Sequence, residues 1–134
     1  MRVFLDTNVL FSAILFPGSM PDLVLKKALS LPHKAITCDY VLDELRRTFT
    51  RKFPDKASKL DTFLFMFMFS IEVVKASHDT NDDTLNIRDS HDKPVLRAAI
   101  ASKCDILLTG DKDFLESGIK TPKILKPKDF YETC

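Results

Sequence analysis

The residues in this sequence best suited to chemistry are carboxylates. Asp6 closes the apolar run RVFLD, which reads as a buried strand delivering an acid to its C-terminal edge. Asp111 follows a second such run, DILLT from Asp105 to Thr109. If both runs lie in one parallel sheet, the two acids project at the same edge. Taken singly, either is better explained as a turn or helix-cap aspartate. Glu44 lies in YVLDELRRTF, where about 100° per residue gathers Val41, Leu42, Leu45 and Phe49 into one stripe. Arg46 and Arg47 fall on the opposite side. Glu44 sits at the border of that stripe, on its Val41 side, whereas Asp43 points well away. By itself Glu44 reads as a solvated helix glutamate. Asp92 precedes Lys93-Pro94 and is well placed to cap the helix that the proline opens. A helix N-terminus also tolerates an anion facing a site, so both roles are compatible, with Asp89 as the nearby competitor.

Clustered carboxylates repel one another unless a cation joins them. Oxygen ligands with no histidine or cysteine among them suit Mg²⁺ or Mn²⁺ rather than zinc. Such an ion activates a water and shields a scissile phosphate, which is the chemistry of phosphodiester hydrolysis without a covalent intermediate.

The elements that must position these acids alternate. Arg2–Asp6, Lys34–Cys38, Ile71–Lys75, Asp105–Thr109 and Lys123–Leu125 read as strands. Between them lie helical patterns at Val9–Leu15, from a Ser19 cap through LVLKKALSL to Pro32, at Tyr40–Phe49, Asp55–Ser70 and Pro94–Ser102. A helical turn follows at Phe114–Ser117, and Pro127 opens a closing one. Ser77 to His91 is polar and irregular. This alternation predicts a three-layer α/β/α sandwich around a central, mostly parallel sheet, with ligands at the carboxyl ends of the strands.

With 134 residues and no repeat or linker, the chain reads as one domain, residues 1–134. Gly18, Gly110 and Gly118 are too few and too scattered for a phosphate-cradling loop. The net charge of +1 advertises no polyanion, so any such partner must be met by a local patch. Cys38, Cys104 and Cys134 form no C-x-x-C pair, which fits a reducing cytosol rather than a disulfide or zinc framework. FLDTN lacks the second aspartate of the phosphatase motif D-x-D-x-T, since Asn8 stands there. Asp79-x-Asn81-x-Asp83 resembles a calcium loop, but Thr84 and Ser90 replace its glycine and glutamate. His33, His78 and His91 have no metal-ligand spacing.

Two stretches admit two readings each. Arg46 to Lys59 carries Arg46, Arg47, Arg51, Lys52, Lys56 and Lys59 against one acid. It is either a solvated face or a phosphate-steering rim, to which Lys93, Lys112, Lys120 and Lys123 would add. The run FLFMFMF, Phe63 to Phe69, is apolar all round but far shorter than the roughly 20 residues of a membrane span. No membrane association is therefore expected. One face of this helix can pack on the sheet; the whole is either deeply buried or an interface, with a dimer or an antitoxin.

FLDTNVLFSAIL, DYVLDELRRTF, DKPVLRAAI and LLTGDKDF, in that order, resemble a PIN-domain ribonuclease of the toxin-like, VapC-like branch, from Val3 to about Phe130. The resemblance implies an acidic quartet at Asp6, Glu44, Asp92 and Asp111 that holds Mg²⁺ or Mn²⁺. It places supporting polar groups at Asn8 and Thr109 and a further acid at Asp113. Asp39 stands where the family often has a serine. The implied activity is endonucleolytic cleavage of single-stranded RNA leaving a 5′-phosphate, by the toxin of a pair with an antitoxin partner; the cysteines add the expectation of a cytoplasmic location and the FLFMFMF run that of a dimer. Arg46, Arg47, Arg51, Lys93 and Lys112 are the candidate RNA contacts. The rival expectation is a non-catalytic RNA-binding or protein-interaction module that keeps the fold.

Overall fold

The computed structural model describes residues 1–76 and 93–134. Asp92, with Asp89, His78, His91 and the Asp79-x-Asn81-x-Asp83 spacing, lies outside the described residues. The strands are β1 (Arg2–Leu5), β2 (Lys34–Cys38), β3 (Ile71–Val74), β4 (Ile106–Leu108) and β5 (Lys123–Leu125). All neighbours pair in parallel, in the order β3-β2-β1-β4-β5. The helices are α1 (Thr7–Leu15), α2 (Met20–Leu29), α3 (Asp39–Lys52), α4 (Ala57–Phe67), α5 (Lys93–Ala101), α6 (Lys112–Leu115) and α7 (Pro127–Thr133). A short 3-10 turn at Pro54–Lys56 precedes α4.

The central strands are apolar on both faces because both faces are covered. Val3, Phe4 and Leu5 of β1 are fully buried, as are Leu107 and Leu108 of β4. The chain steps outward from β1 to β3, then returns past β1 to β4. Right-handed crossovers therefore put the helices of the first half on one face and α5 on the other, where it crosses β2. Phe49, Phe114 and Phe130 anchor α3, α6 and α7 to the core with no exposed surface to speak of. Among the described residues no single helix is long and apolar enough to cross a membrane.

Most boundaries fall within two residues of those expected, and the shifts at two helix starts have local causes. Asp6 caps α1, so the helix starts at Thr7 rather than Val9. Asp111 caps α6 in the same way, so that turn starts at Lys112 rather than Phe114. Ser19 caps α2 through its hydroxyl, as expected. The FLFMFMF helix ends at Phe67, and it packs mainly on α1 and α3. Only Phe63 of that run is buried; Phe65 and Phe69 are 84% and 98% exposed.

Candidate active site

Strand order makes the site. The sheet runs one way from β1 to β2 and the other way from β1 to β4, so a crevice opens beyond the carboxyl ends of β1 and β4. Leu5 is in register with Leu108, and the Asp6 amide donates to the Leu108 carbonyl at 3.2 Å. Asp6 and the Thr109–Asp111 turn are thereby held side by side.

Asp6 is the buried member, only 6% exposed. The Thr7 amide donates to its Oδ1 at 2.8 Å, and the Thr109 hydroxyl donates to its Oδ2 at 2.8 Å. Burial pushes its carboxyl up from an ordinary 3.8 to about 6. The two hydrogen bonds oppose that shift, while the negative charges of Glu44 and Asp111 add to it. The site therefore holds an acid in a place that disfavours its charge.

Two threonines organise the acids. Thr109, fully buried, donates to Asp6 and accepts from the Asp111 amide at 3.0 Å. Thr7, also buried, offers its amide to Asp6 and its hydroxyl to Glu44 Oε2 at 3.3 Å. Asp111 is fixed further by accepting the Asp113 amide at 2.9 Å on Oδ1. Glu44 stands on the exposed side of α3, whose stripe of Val41, Leu42, Leu45 and Phe49 is buried as the periodicity requires.

Thr7 is the residue that the sequence reading missed. It adjoins Asp6 in FLDTN, but nothing local announces that its hydroxyl reaches an acid 37 residues away. Asn8, expected to support the acids, is instead exposed in the first turn of α1, and no hydrogen bond joins it to Asp6, Glu44 or Asp111. Its side chain follows the helix outward while Thr7 turns in. Asp39 accepts its own helix's Tyr40 amide at 2.8 Å and the Ala76 amide at 2.7 Å, tying α3 to the end of β3. Burial pushes the thiol of Cys38, at the head of α3, up to about 11, which disfavours its thiolate.

The basic candidates separate. Arg47 and Arg51 line a cavity of about 230 Å³ with Tyr40, Glu44 and Thr48. Arg46 does not, because two residues on a helix turn it about 200° from Glu44. Lys112 is exposed beside Asp111, and Lys93 is half-buried at the start of α5. Asp6, Glu44 and Asp111 offer only oxygen donors, the kind a hard divalent cation takes, and the charge stress on Asp6 is what such an ion would relieve. Among the described residues no three ionisable side chains converge tightly enough to hold an ion by themselves.

The family model of the PIN domain matches residues 2–113. A solved structure of VapBC2 from Rickettsia felis, bound to a DNA fragment from their promoter, superposes with a TM-score of 0.71. It shares 22% identity over 94% of this chain and 98% of that one. VapC20 from Mycobacterium tuberculosis, described as a sarcin-ricin loop cleaving toxin, gives a TM-score of 0.61. Its identity is 17%, over 87% of this chain and 95% of that one. At these identities the likeness is one of fold. A comparison with curated protein sequences finds no match. With the model matched from β1 through the Asp111–Asp113 turn, and the acids gathered where the sheet changes direction, this chain belongs to the PIN-domain family.

Proposed function

We propose that the protein is a divalent-metal-dependent endoribonuclease acting on single-stranded RNA, the toxin of a toxin–antitoxin pair. The observation that carries the reading is Asp6: a carboxylate buried at the strand-order reversal, with Glu44 and Asp111 raising its proton affinity. A binding module gains nothing from repelling acids facing a polyanion. Asp6, Glu44 and Asp111, with Asp92, would hold one or two Mg²⁺ or Mn²⁺ ions. Bound there, the metal would activate water and neutralise charge on the phosphate and the departing 3′ oxygen. The chain's own part is positional. Thr7 and Thr109 keep Asp6 aimed through a donor on each oxygen, so the carboxylate needs no reorganisation when substrate arrives. Thr109 fixes Asp111 through its amide, and Thr7 restrains Glu44, so the two threonines link the three acids. Lys112 and the arginines of α3 supply positive charge around that acidic centre.

The antitoxin reading draws on the likeness to VapBC2 and on an apolar groove of about 320 Å³ between α1, α2 and α4. Ala13, Ile14, Leu25, Phe63, Met66 and Phe67 line it, with Lys26 and Lys59 at its rim. Exposed Phe65 and Phe69 favour a dimer of this chain as well.

The deciding experiment incubates structured and unstructured RNA with purified protein in Mg²⁺, Mn²⁺ or EDTA, beside Asp6→Asn. Cleavage that needs metal and Asp6 is expected. Wild-type rates in Asp6→Asn, or in EDTA, would overturn the metal-site reading. RNA bound but never cut would leave the non-catalytic module.

A further inference from the structure

The α3 cavity carries more than general positive charge. On this helix Tyr40, Glu44, Arg47, Thr48 and Arg51 fall within about 100° of one another, so one face presents an acid of the site, two guanidinium groups and the ring of Tyr40, half-buried against the core but lining the cavity. Neither Arg47 nor Arg51 forms a salt bridge with a described carboxylate, although Glu44 lies on the same face. Arg47 is steadied by donating its Nε to the Asp43 carbonyl at 3.4 Å, which leaves its two terminal nitrogens to donate elsewhere. Thr48 spends its hydroxyl proton on the Glu44 carbonyl at 2.8 Å, so the guanidinium groups dominate the donors of the cavity.

Resting on the ribonuclease reading above, we infer that this face of α3 is a nucleotide subsite flanking the cut: Arg47 and Arg51 grip neighbouring phosphates and Tyr40 stacks an unpaired base. The planar fork of arginine matches a phosphate through two parallel hydrogen bonds. Four residues of helix separate the two arginines by about 6 Å along the axis, a span suited to adjacent phosphates of one strand. The cavity, about 230 Å³, admits a base but not a duplex. An aromatic ring at the head of a basic groove is the usual platform for a single strand, because every base offers a face to stack. Glu44 lies between Tyr40 and the arginines, so a strand in this groove passes the acids. The subsite thus selects unpaired RNA.

The test uses the full chain carrying Asp6→Asn, in EDTA, with a fluorescent single-stranded RNA 12-mer and the same RNA annealed into a duplex. Arg47→Gln with Arg51→Gln should weaken single-strand binding at least tenfold. It should also lower the slope of log affinity against log salt by about 1.4, at about 0.7 per lost phosphate contact. Arg46→Gln, equal in charge change but on the far side of the helix, should leave the slope unchanged. Tyr40→Leu should cost about tenfold on the single strand, with Tyr40→Phe restoring it. Equal losses for Arg46→Gln and Arg47→Gln, or an unchanged slope in the double variant, would overturn the subsite. Metal-dependent cleavage by the wild type in parallel would leave the ribonuclease reading standing. If the wild type binds with this pattern but cuts nothing, the subsite stands and the catalytic reading falls. If it neither binds nor cuts RNA, both fall.

Discussion

Asp6→Asn should change the pH dependence of stability in a way that only a buried, charge-stressed carboxylate explains. Between pH 3.8 and about 6 the folded state holds the Asp6 proton more tightly than the unfolded chain does. Stability contributed by this group is therefore complete below pH 3.8 and is lost as pH rises through about 6. At 1.36 kcal/mol per pH unit, that interval corresponds to about 3 kcal/mol. Asparagine carries no proton to lose and escapes the penalty. It does disturb the hydrogen bonds from Thr7 and Thr109, but that cost, about 1–3 kcal/mol, is independent of pH. The stability of the variant relative to wild type should thus rise by about 2.4 kcal/mol from pH 4 to pH 8 in EDTA. For a domain of this size that is roughly 10 °C in the difference of melting temperatures. Thermal unfolding of both proteins across that range, followed by circular dichroism, measures it. Millimolar Mn²⁺ at pH 8 should then raise the wild type by mass action, about 2.7 kcal/mol at a hundred times the dissociation constant, and the variant far less. A difference between the two proteins that stays constant with pH would refute the charge-stress argument, and parallel gains with Mn²⁺ would remove Asp6 from the metal site.

Other consequences follow from the same geometry. Thr109→Val should destabilise the fold by about 1–3 kcal/mol in urea titrations, because it strands an oxygen of Asp6 and the Asp111 amide together. Glu44→Gln should abolish RNA cleavage while Asp43→Asn, one residue away and exposed, leaves the rate near wild type; equal losses in the same assay would mean that α3 is turned differently. Phe63→Ala should cost about 3–5 kcal/mol on unfolding, whereas Phe69→Ala, almost wholly exposed, should stay within about 0.5 kcal/mol.

Local periodicity and punctuation carried much of this protein into view. The strands that end at Asp6 and before Asp111, the caps at Ser19 and Asp111, and the buried stripe of α3 all follow from residues a few positions apart. The parallel sheet and its acid-bearing edge could be expected from that alone, because alternating strands and helices leave few other ways to bury apolar runs. Three matters were decided by the tertiary structure. Thr7 rather than Asn8 supports the acids, since only packing of α1 against α3 brings its hydroxyl to Glu44. The α4 run packs mainly on α1 and α3 and leaves Phe65 and Phe69 in the open. That Glu44, Arg47 and Arg51 share a face follows from helical periodicity, but that this face lines a cavity does not. Helix and strand periods record which face a residue occupies, but which partner that face meets depends on contacts between segments far apart in the chain, and those are fixed only when the chain folds.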